Sequence, residues 1–361
     1  LYERGEFAAA GSVVDELVGQ ARMAGNRPAE LRGGLVELLA RTSTDPSQGM
    51  ESAVAEAEVI LEEAEALGDP SLLAQAQETA AWFLFWVGRS GDAEELLEAA
   101  LSQAQARGVS DHQLMRLYRA LAPTAIWGSL EAEPGLRRWG EIADETTVMA
   151  SGLAHHVLAT LHAMRGDFET ARSHVATAED ILRELGATLF LLAGHPPSVV
   201  EKLAGEYEAL EARSRAGVEG FEALGERGFL STSEANLAEA LLGQGRDREA
   251  LEAARLSESH TAVGDVASEV GWRTVAARAL ARLGQVEEAG RLAREAVAIA
   301  ERTDHLNEIG DAFLVLAEAL RASGRPEEAR RAAQSALERY ERKGNVVSAE
   351  RARRLIEEPG E

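Results

Sequence analysis

The chain contains no cysteine, and lysine appears only twice, at Lys202 and Lys343, against thirty-five arginines. Without cysteine there is no disulfide, no thiolate nucleophile and no thiolate metal ligand, and the redox compartment stays open. Aromatic residues make up 5% of the 361 positions. No apolar run is longer than eight residues, Ala80 to Val87. A membrane-spanning helix needs about 20, so a soluble, cytoplasmic protein without a membrane partner is expected. Positive charge is also short, and the formal net charge is −24. Nucleic-acid binding draws its affinity from Lys and Arg on phosphates, so nucleic acid is excluded as a partner. Catalytic patterns are missing too. No Gly-x4-Gly-Lys-Ser/Thr loop and no nucleophile elbow occurs, and no two His stand at the i, i+4 spacing of helical metal pairs. His155 and His162 share a helix face seven residues apart and read as packing or surface residues. No catalytic residue, cofactor or metal ligand is assigned, and the chain is read as non-enzymatic.

What is present is a repeat. A Gly followed five residues later by Ala recurs ahead of apolar helical runs: Gly5/Ala10, Gly88/Ala93, Gly166/Ala171, Gly245/Ala250, Gly284/Ala289 and Gly324/Ala329. Leu210 follows Gly205 in the same way, and Ala53 and Gly135 hold the Ala place in two looser units. Successive positions lie 36 to 43 residues apart. Gly ends a helix because it takes up a left-handed backbone cheaply. A small residue one turn into the next helix lets two helices approach. Phe313, Leu316, Ala317 and Leu320 form the i, i+3, i+4, i+7 stripe of an amphipathic helix before Gly324. Pro326, Glu327 and Glu328 suit the start of the helix after it. Ser110 with Gln113 and Ser231 with Glu234 read as capping boxes, and Asp69-Pro70 reads as an N-cap followed by the first helical residue. No useful strand alternation appears. The expected fold is all-α, a solenoid superhelix of about nine helix hairpins with a period of about 40 residues.

The unit resembles the tetratricopeptide repeat (TPR), with longer helices. On that reading residues 1–361 form one solenoid. Residues 1–24 are an unpaired second helix, as in a piece of a longer protein. Hairpin repeats fill 25–343, and 344–361 form a C-terminal capping helix. "GHPPSVV" at 194–200 sets two prolines where a helix should run, so a short helix from Pro197 and a kink near 194–198 are expected. The segments "GFLSTSEANLAEALLGQGRDREA", "EVGWRTVAARALARLGQVEEAGRLAREAVAIAERTDHLNEIGDAFLVLAEALRASGRPEEA" and "ALERYERKGNVVSAERARRL" make residues 198–356 similar to the C-terminal TPR region of actinobacterial multidomain regulators. In those proteins cyclase-like and STAND/AAA-type ATPase domains precede the repeats. The resemblance implies a bacterial sensor or scaffold that binds a protein or peptide segment, a small effector, or the other domains of its own polypeptide. Self-assembly through the solenoid is the alternative.

In such superhelices the first helix of each unit lines the concave groove. Eleven residues before the Ala position the units carry Trp82, Thr124, Thr160, Val199, Glu239, Arg278 and Glu318. Eight before it stand Phe85, Trp127, Ala163, Lys202, Leu242, Ala281 and Arg321. Trp86 is one turn beyond Trp82, and His156 one turn before Thr160. The candidate groove residues are therefore Trp82, Phe85, Trp86, Thr124, Trp127, His156, Thr160, Glu239, Arg278 and Glu318. The groove reads as aromatic in its N-terminal half and charged in its C-terminal half, with Glu239, Arg278 and Glu318 placed for a charge ladder. Trp139 and Trp272 fall off both positions and read as packing residues. The aromatic cluster is either core or binding floor. It lies within Asp45–Leu101, which holds thirteen acids and one base, Arg89. That imbalance is either a set of solvated faces or an attraction for a basic partner or cationic ligand.

Overall fold

The computed structural model describes residues 7–357 apart from 46, 48, 108–109, 146, 188–190 and 193–194. Eighteen α-helices and no strand are delimited among the described residues. In chain order they are α1 (Phe7–Met23), α2 (Arg27–Thr44), α3 (Met50–Leu67), α4 (Pro70–Trp86), α5 (Ser90–Arg107), α6 (Asp111–Trp127), α7 (Ala132–Glu145), α8 (Val148–Met164) and α9 (Phe168–Glu184). They continue as α10 (His195–Ala204), α11 (Tyr207–Leu224), α12 (Gly228–Gly243), α13 (Asp247–His260), α14 (Val266–Arg282), α15 (Val286–Ala300), α16 (Leu306–Ala322), α17 (Pro326–Lys343) and α18 (Val346–Glu357). The fold is an all-α, TPR-like superhelix of stacked hairpins.

Local chemistry sets the helix ends. The Asp69 carboxylate accepts from the Ser71 and Leu72 amides, each at 3.0 Å, and Pro70 occupies the first helical position of α4. Ser110 and Gln113 form the expected capping box on α6. Ser231 does not cap. It lies inside α12, where its hydroxyl donates to Gly228 O and meets Ser268 Oγ at 2.9 Å. The cap is Glu226 instead, whose carboxylate accepts from the Gly228 and Phe229 amides. A longer acidic side chain reaching forward satisfies the orphan amides of a helix that starts four residues earlier than the Ser/Glu pattern suggested. Helix α10 begins at His195, so Pro196 and Pro197 fall in its first turn, where a missing N–H costs nothing.

The two helices of a hairpin differ in burial. In α8 twelve residues are buried, whereas α9 buries only the stripe Ala171, Val175, Ala178 and Leu182. Even-numbered helices are wrapped on several sides and line the inside of the superhelix. Odd-numbered ones form its outer layer. Ala53, Ala93, Ala171, Leu210, Ala250, Ala289 and Ala329 are all buried where hairpin arms meet. Gly135 stands among them because a Cβ there would come within 2.8 Å of Leu161 Cδ1.

Groups 213 to 218 residues apart meet as the superhelix completes a turn. At about 40 residues per unit, a turn takes between five and six units. The second turn stacks on the first by hydrogen bonds. The Asp304 amide donates to Gly88 O at 3.1 Å, and the Asp304 carboxylate accepts from the Ser90 and Gly91 amides at 3.0 and 2.6 Å. Ser90 Oγ and His305 Nε2 lie 2.8 Å apart. Lys343 Nζ donates to Ala125 O and Gly128 O, at 3.0 and 2.7 Å, at the carbonyl end of α6. Gly88 takes φ +81°, and a Cβ there would collide with the Thr303 side chain. The glycine that ends α4 thus also admits the next turn.

Candidate functional site

Stacking of the turns closes the concave groove into an axial cavity. About 200 Å³ of it is open to the centre of a water molecule, room for many waters. Residues of α4, α6, α8, α10, α12, α14, α16 and α18 line it, and none from an odd-numbered helix does. The first turn contributes the C-terminal ends of its inner helices: Trp82, Phe85 and Trp86, then Pro123, Ile126 and Trp127, then Met164. The second turn contributes the starts and middles of its inner helices, from Phe229 to Asp311. The cavity therefore sits on the seam between turns.

One end is aromatic. Phe85 is the hub, with ring centroids 5.6 Å from Trp86, 5.7 Å from Trp127 and 6.3 Å from Trp82. Trp82 and Trp86 meet edge to face at 5.9 Å. The contact crosses the seam, since Trp86 packs on Phe229 at 5.9 Å and Phe85 on His305 at 5.5 Å. Phe85 and Trp86 are buried at 5% and 9% exposure, while Trp82 and Trp127 are half-buried. The inner pair packs as core and still faces the cavity, so the two readings of this cluster are not exclusive.

The other end is ion-paired. Arg278 bridges Glu239 at 2.9 Å and Glu318 at 3.0 Å, so the ladder expected from spacing exists as contacts. Glu318 first, then Glu239, push the Arg278 pKa up. Burial alone would raise the Glu239 pKa, but Arg278 and Lys202 outweigh it and hold the carboxyl below its usual value. Lys202 Nζ contacts Asp311 Oδ2 at 3.1 Å, and that carboxylate raises the lysine pKa. The Tyr340 hydroxyl donates to Asp311 Oδ1 at 2.6 Å. Arg351 donates to Lys202 O and Leu203 O, tying α18 to the end of α10. A second chamber, holding Arg278 and Glu318, shares Lys202, Glu239, Thr274, Asp311 and Arg351 with the first.

Of the ten candidate residues, Trp82, Phe85, Trp86, Trp127 and Glu239 line the axial cavity, and Arg278 and Glu318 line the adjoining chamber. Thr124, Thr160 and His156 line neither. They are buried, and the hydroxyls of Thr124 and Thr160 donate to Leu121 O and His156 O of their own helices. The physical reason is the seam: only the last turn of α6 and of α8 reaches it, and positions farther back are covered by neighbouring helices. Burial lowers the His156 pKa to about 4. Trp139 and Trp272 are buried. Sequence spacing missed Phe229, Glu308 and Asp311, which face the cavity from the second turn.

Comparison with known proteins places part of this architecture. Residues 272–342 match the tetratricopeptide repeat family. The chain thus carries a TPR region, a fold that generally serves as a non-catalytic protein-binding scaffold with a concave surface. No curated protein matches the sequence. Similar solved structures include a Rap protein complexed with competence and sporulation factor, at 13% identity, covering 91% of this chain and 96% of that one, with a TM-score of 0.49. Yeast Tom70 has 14% identity, covers 96% and 87%, and has a TM-score of 0.39. The TPR domain of P58(IPK) has 15% identity, covers 96% and 98%, and has a TM-score of 0.28. Among the described residues no helix is long and apolar enough to cross a membrane.

Proposed function

We propose that this TPR module binds a short peptide, a protein segment or a small effector in its axial cavity. One observation carries the reading: eight inner helices from both superhelical turns converge on one space that is aromatic at one end and charged at the other. An occupant touching both turns favours one stacking over others, which is how binding reaches distant parts of a chain. The module then acts as the sensor or scaffold of a larger signalling or transcription-regulating ATPase. The likeness of residues 198–356 to the repeats of actinobacterial multidomain regulators supports that setting.

Panning short peptides against the intact chain tests the binding role, with tryptophan fluorescence as readout. A selected peptide is expected to lose affinity about tenfold in Trp82→Ala and Trp127→Ala, as for aromatic anchors elsewhere. Unchanged affinity in both variants sinks the cavity reading. The self-assembly reading is favoured by Val13 and Leu17, apolar residues on α1 that are 46% and 56% exposed. Light scattering showing a monomer at high concentration removes it.

A further inference from the structure

The charges lining the axial cavity are nearly all accounted for. Lys202 pairs with Asp311, Glu239 pairs with Arg278, and Arg351 is held by the carbonyls of Lys202 and Leu203. Glu308 is the exception. It stands on the cavity wall in the first turn of α16, and its Oε2, sealed from solvent, finds no hydrogen-bond partner among the described residues. An unpaired buried carboxyl oxygen is costly. The same cavity carries the rings of Trp82, Phe85, Trp86, Trp127 and Phe229. Ring faces are electron-rich and attract cations, most strongly when water is excluded. Aromatic faces and a carboxyl in want of a partner are complementary to one kind of group.

We propose that the axial cavity binds its ligand through an organic cation, an ammonium or guanidinium, set between the aromatic rings and the Glu308 carboxylate. The inference rests on the cavity-binding role above and names the ligand class for it. An anion would instead meet Glu239, Glu308 and Asp311 while both nearby cations are engaged. A metal ion would need several donors together, and no group of three His, Asp or Glu suited to one occurs among the described residues. The cation can come from a free amine or from a basic side chain of a peptide, and the chemistry at Glu308 is the same.

Protonation couples to this binding. Burial, with Asp311 adding to it, pushes the Glu308 pKa up to about 8, while its own backbone amide, Lys202 and Lys343 pull it down. Near neutral pH the empty site therefore holds a carboxylic acid. Entry of a cation favours the carboxylate, so the Glu308 proton leaves to solvent as the cation takes its place beside the two oxygens. Affinity for the cation then rises with pH until the unliganded carboxyl is ionised, and levels off above about pH 8.

Isothermal titration on the intact chain tests the proposal with two matched pairs of probes. Benzylamine is compared with benzyl alcohol, and a blocked Gly-Arg-Gly peptide with its citrulline counterpart. At least one charged probe is expected to bind about tenfold tighter than its neutral twin, and which one does identifies the source of the cation. Titrations at pH 7 in buffers of different ionisation heat should show about one proton released per ligand bound. Glu308→Gln should abolish both the preference and the proton release and leave the neutral probe's affinity in place. Equal affinities within each pair, a preference that survives Glu308→Gln, or no binding of either cation overturns the proposal. Where Glu308→Gln fails to fold, the wild-type pH series decides. Affinity rising about tenfold from pH 6 to 7 and about fivefold from 7 to 8 supports the inference, and a flat profile overturns it. A charge-blind cavity whose peptide binding still depends on Trp127 would leave the binding role standing and only the cation inference lost.

Discussion

The two ends of the axial cavity join the same superhelical turns with opposite chemistry. At the aromatic end, Phe85, Trp86, Trp127 and Phe229 hold the seam by ring packing. At the other end, Lys202 reaches Asp311, and Arg278 reaches Glu239 and Glu318. Ring packing is tolerant of angle, since dispersion and burial are non-directional. An ion pair in a partly dry site needs its partner at hydrogen-bond distance, because an unmatched charge costs more than a matched one returns. The Arg278 ladder accordingly shows strict spacing, with partners 39 and 40 residues away, one repeat to either side, whereas Lys202 meets Asp311 109 residues further on. At the aromatic end Phe85 and Trp127 hold the same place in successive units, while Trp86 and Phe229 meet from different turns. At both ends, residues at equivalent repeat positions join neighbouring units, and residues at unlike positions make the longer-range contacts.

Substitution at each end separates these mechanisms. Phe85→Ala removes the hub of the ring cluster and should cost about 3–5 kcal/mol in urea unfolding. No second substitution nearby is expected to restore it, since the loss is volume. Arg278→Leu should cost about 3 kcal/mol by stranding Glu239, and adding Glu239→Gln should recover much of that. If the double variant is no better than the single, the charged end is not held by pairing in the manner described.

The smallest effect is in pH dependence. Burial raises the pKa of Glu308 to about 8, and of Glu226 and Asp265 to about 7. The folded state keeps these protons where the unfolded chain has lost them, so their contribution falls as pH rises from about 4.5 to 8. Burial lowers the pKa of His156 and His174 to about 4 and of His305 to about 3. There the unfolded chain binds more protons, so stability falls as pH drops below about 6.5. The sets oppose each other between 4.5 and 6.5 and leave a shallow profile. Above 6.5 the carboxyls are opposed only by Lys343, whose pKa burial lowers to about 8, so unfolding midpoints should decline from pH 6.5 and level off toward pH 8. Glu308→Gln should flatten the part between 7 and 8, the segment that belongs to the aromatic-lined cavity. A decline of the same depth in that variant would assign it to other groups.

Much of the site was legible because repeats report their own register. The small residues at Ala93, Ala171, Ala250, Ala289 and Ala329 marked the buried crossing of each hairpin, and counting back from them found Trp82, Phe85, Glu239, Arg278 and Glu318. The same count placed Thr124 and Thr160 in the groove, although both are buried and turned to their own helices. Periodicity tells which helix is inside but not how far along it the cavity extends. Phe229, Glu308 and Asp311 were missed because they lie nearer the start of their helices, 21, 21 and 18 residues before the Ala position, outside the two positions counted.

By itself the sequence determined the helices, their pairing and the inward alternation, because a 3.6-residue apolar stripe, a left-handed glycine and a small residue act within one hairpin. Only the tertiary structure decided that the groove closes. Closure depends on contacts more than 200 residues apart, such as Gly88 with Asp304 and Lys343 with Gly128. Whether such contacts form follows from small rotations summed over five units, and no local pattern records that sum. The two lysines show the difference. In sequence they are rare residues, and in the fold Lys343 is the ammonium that ties one turn to the next.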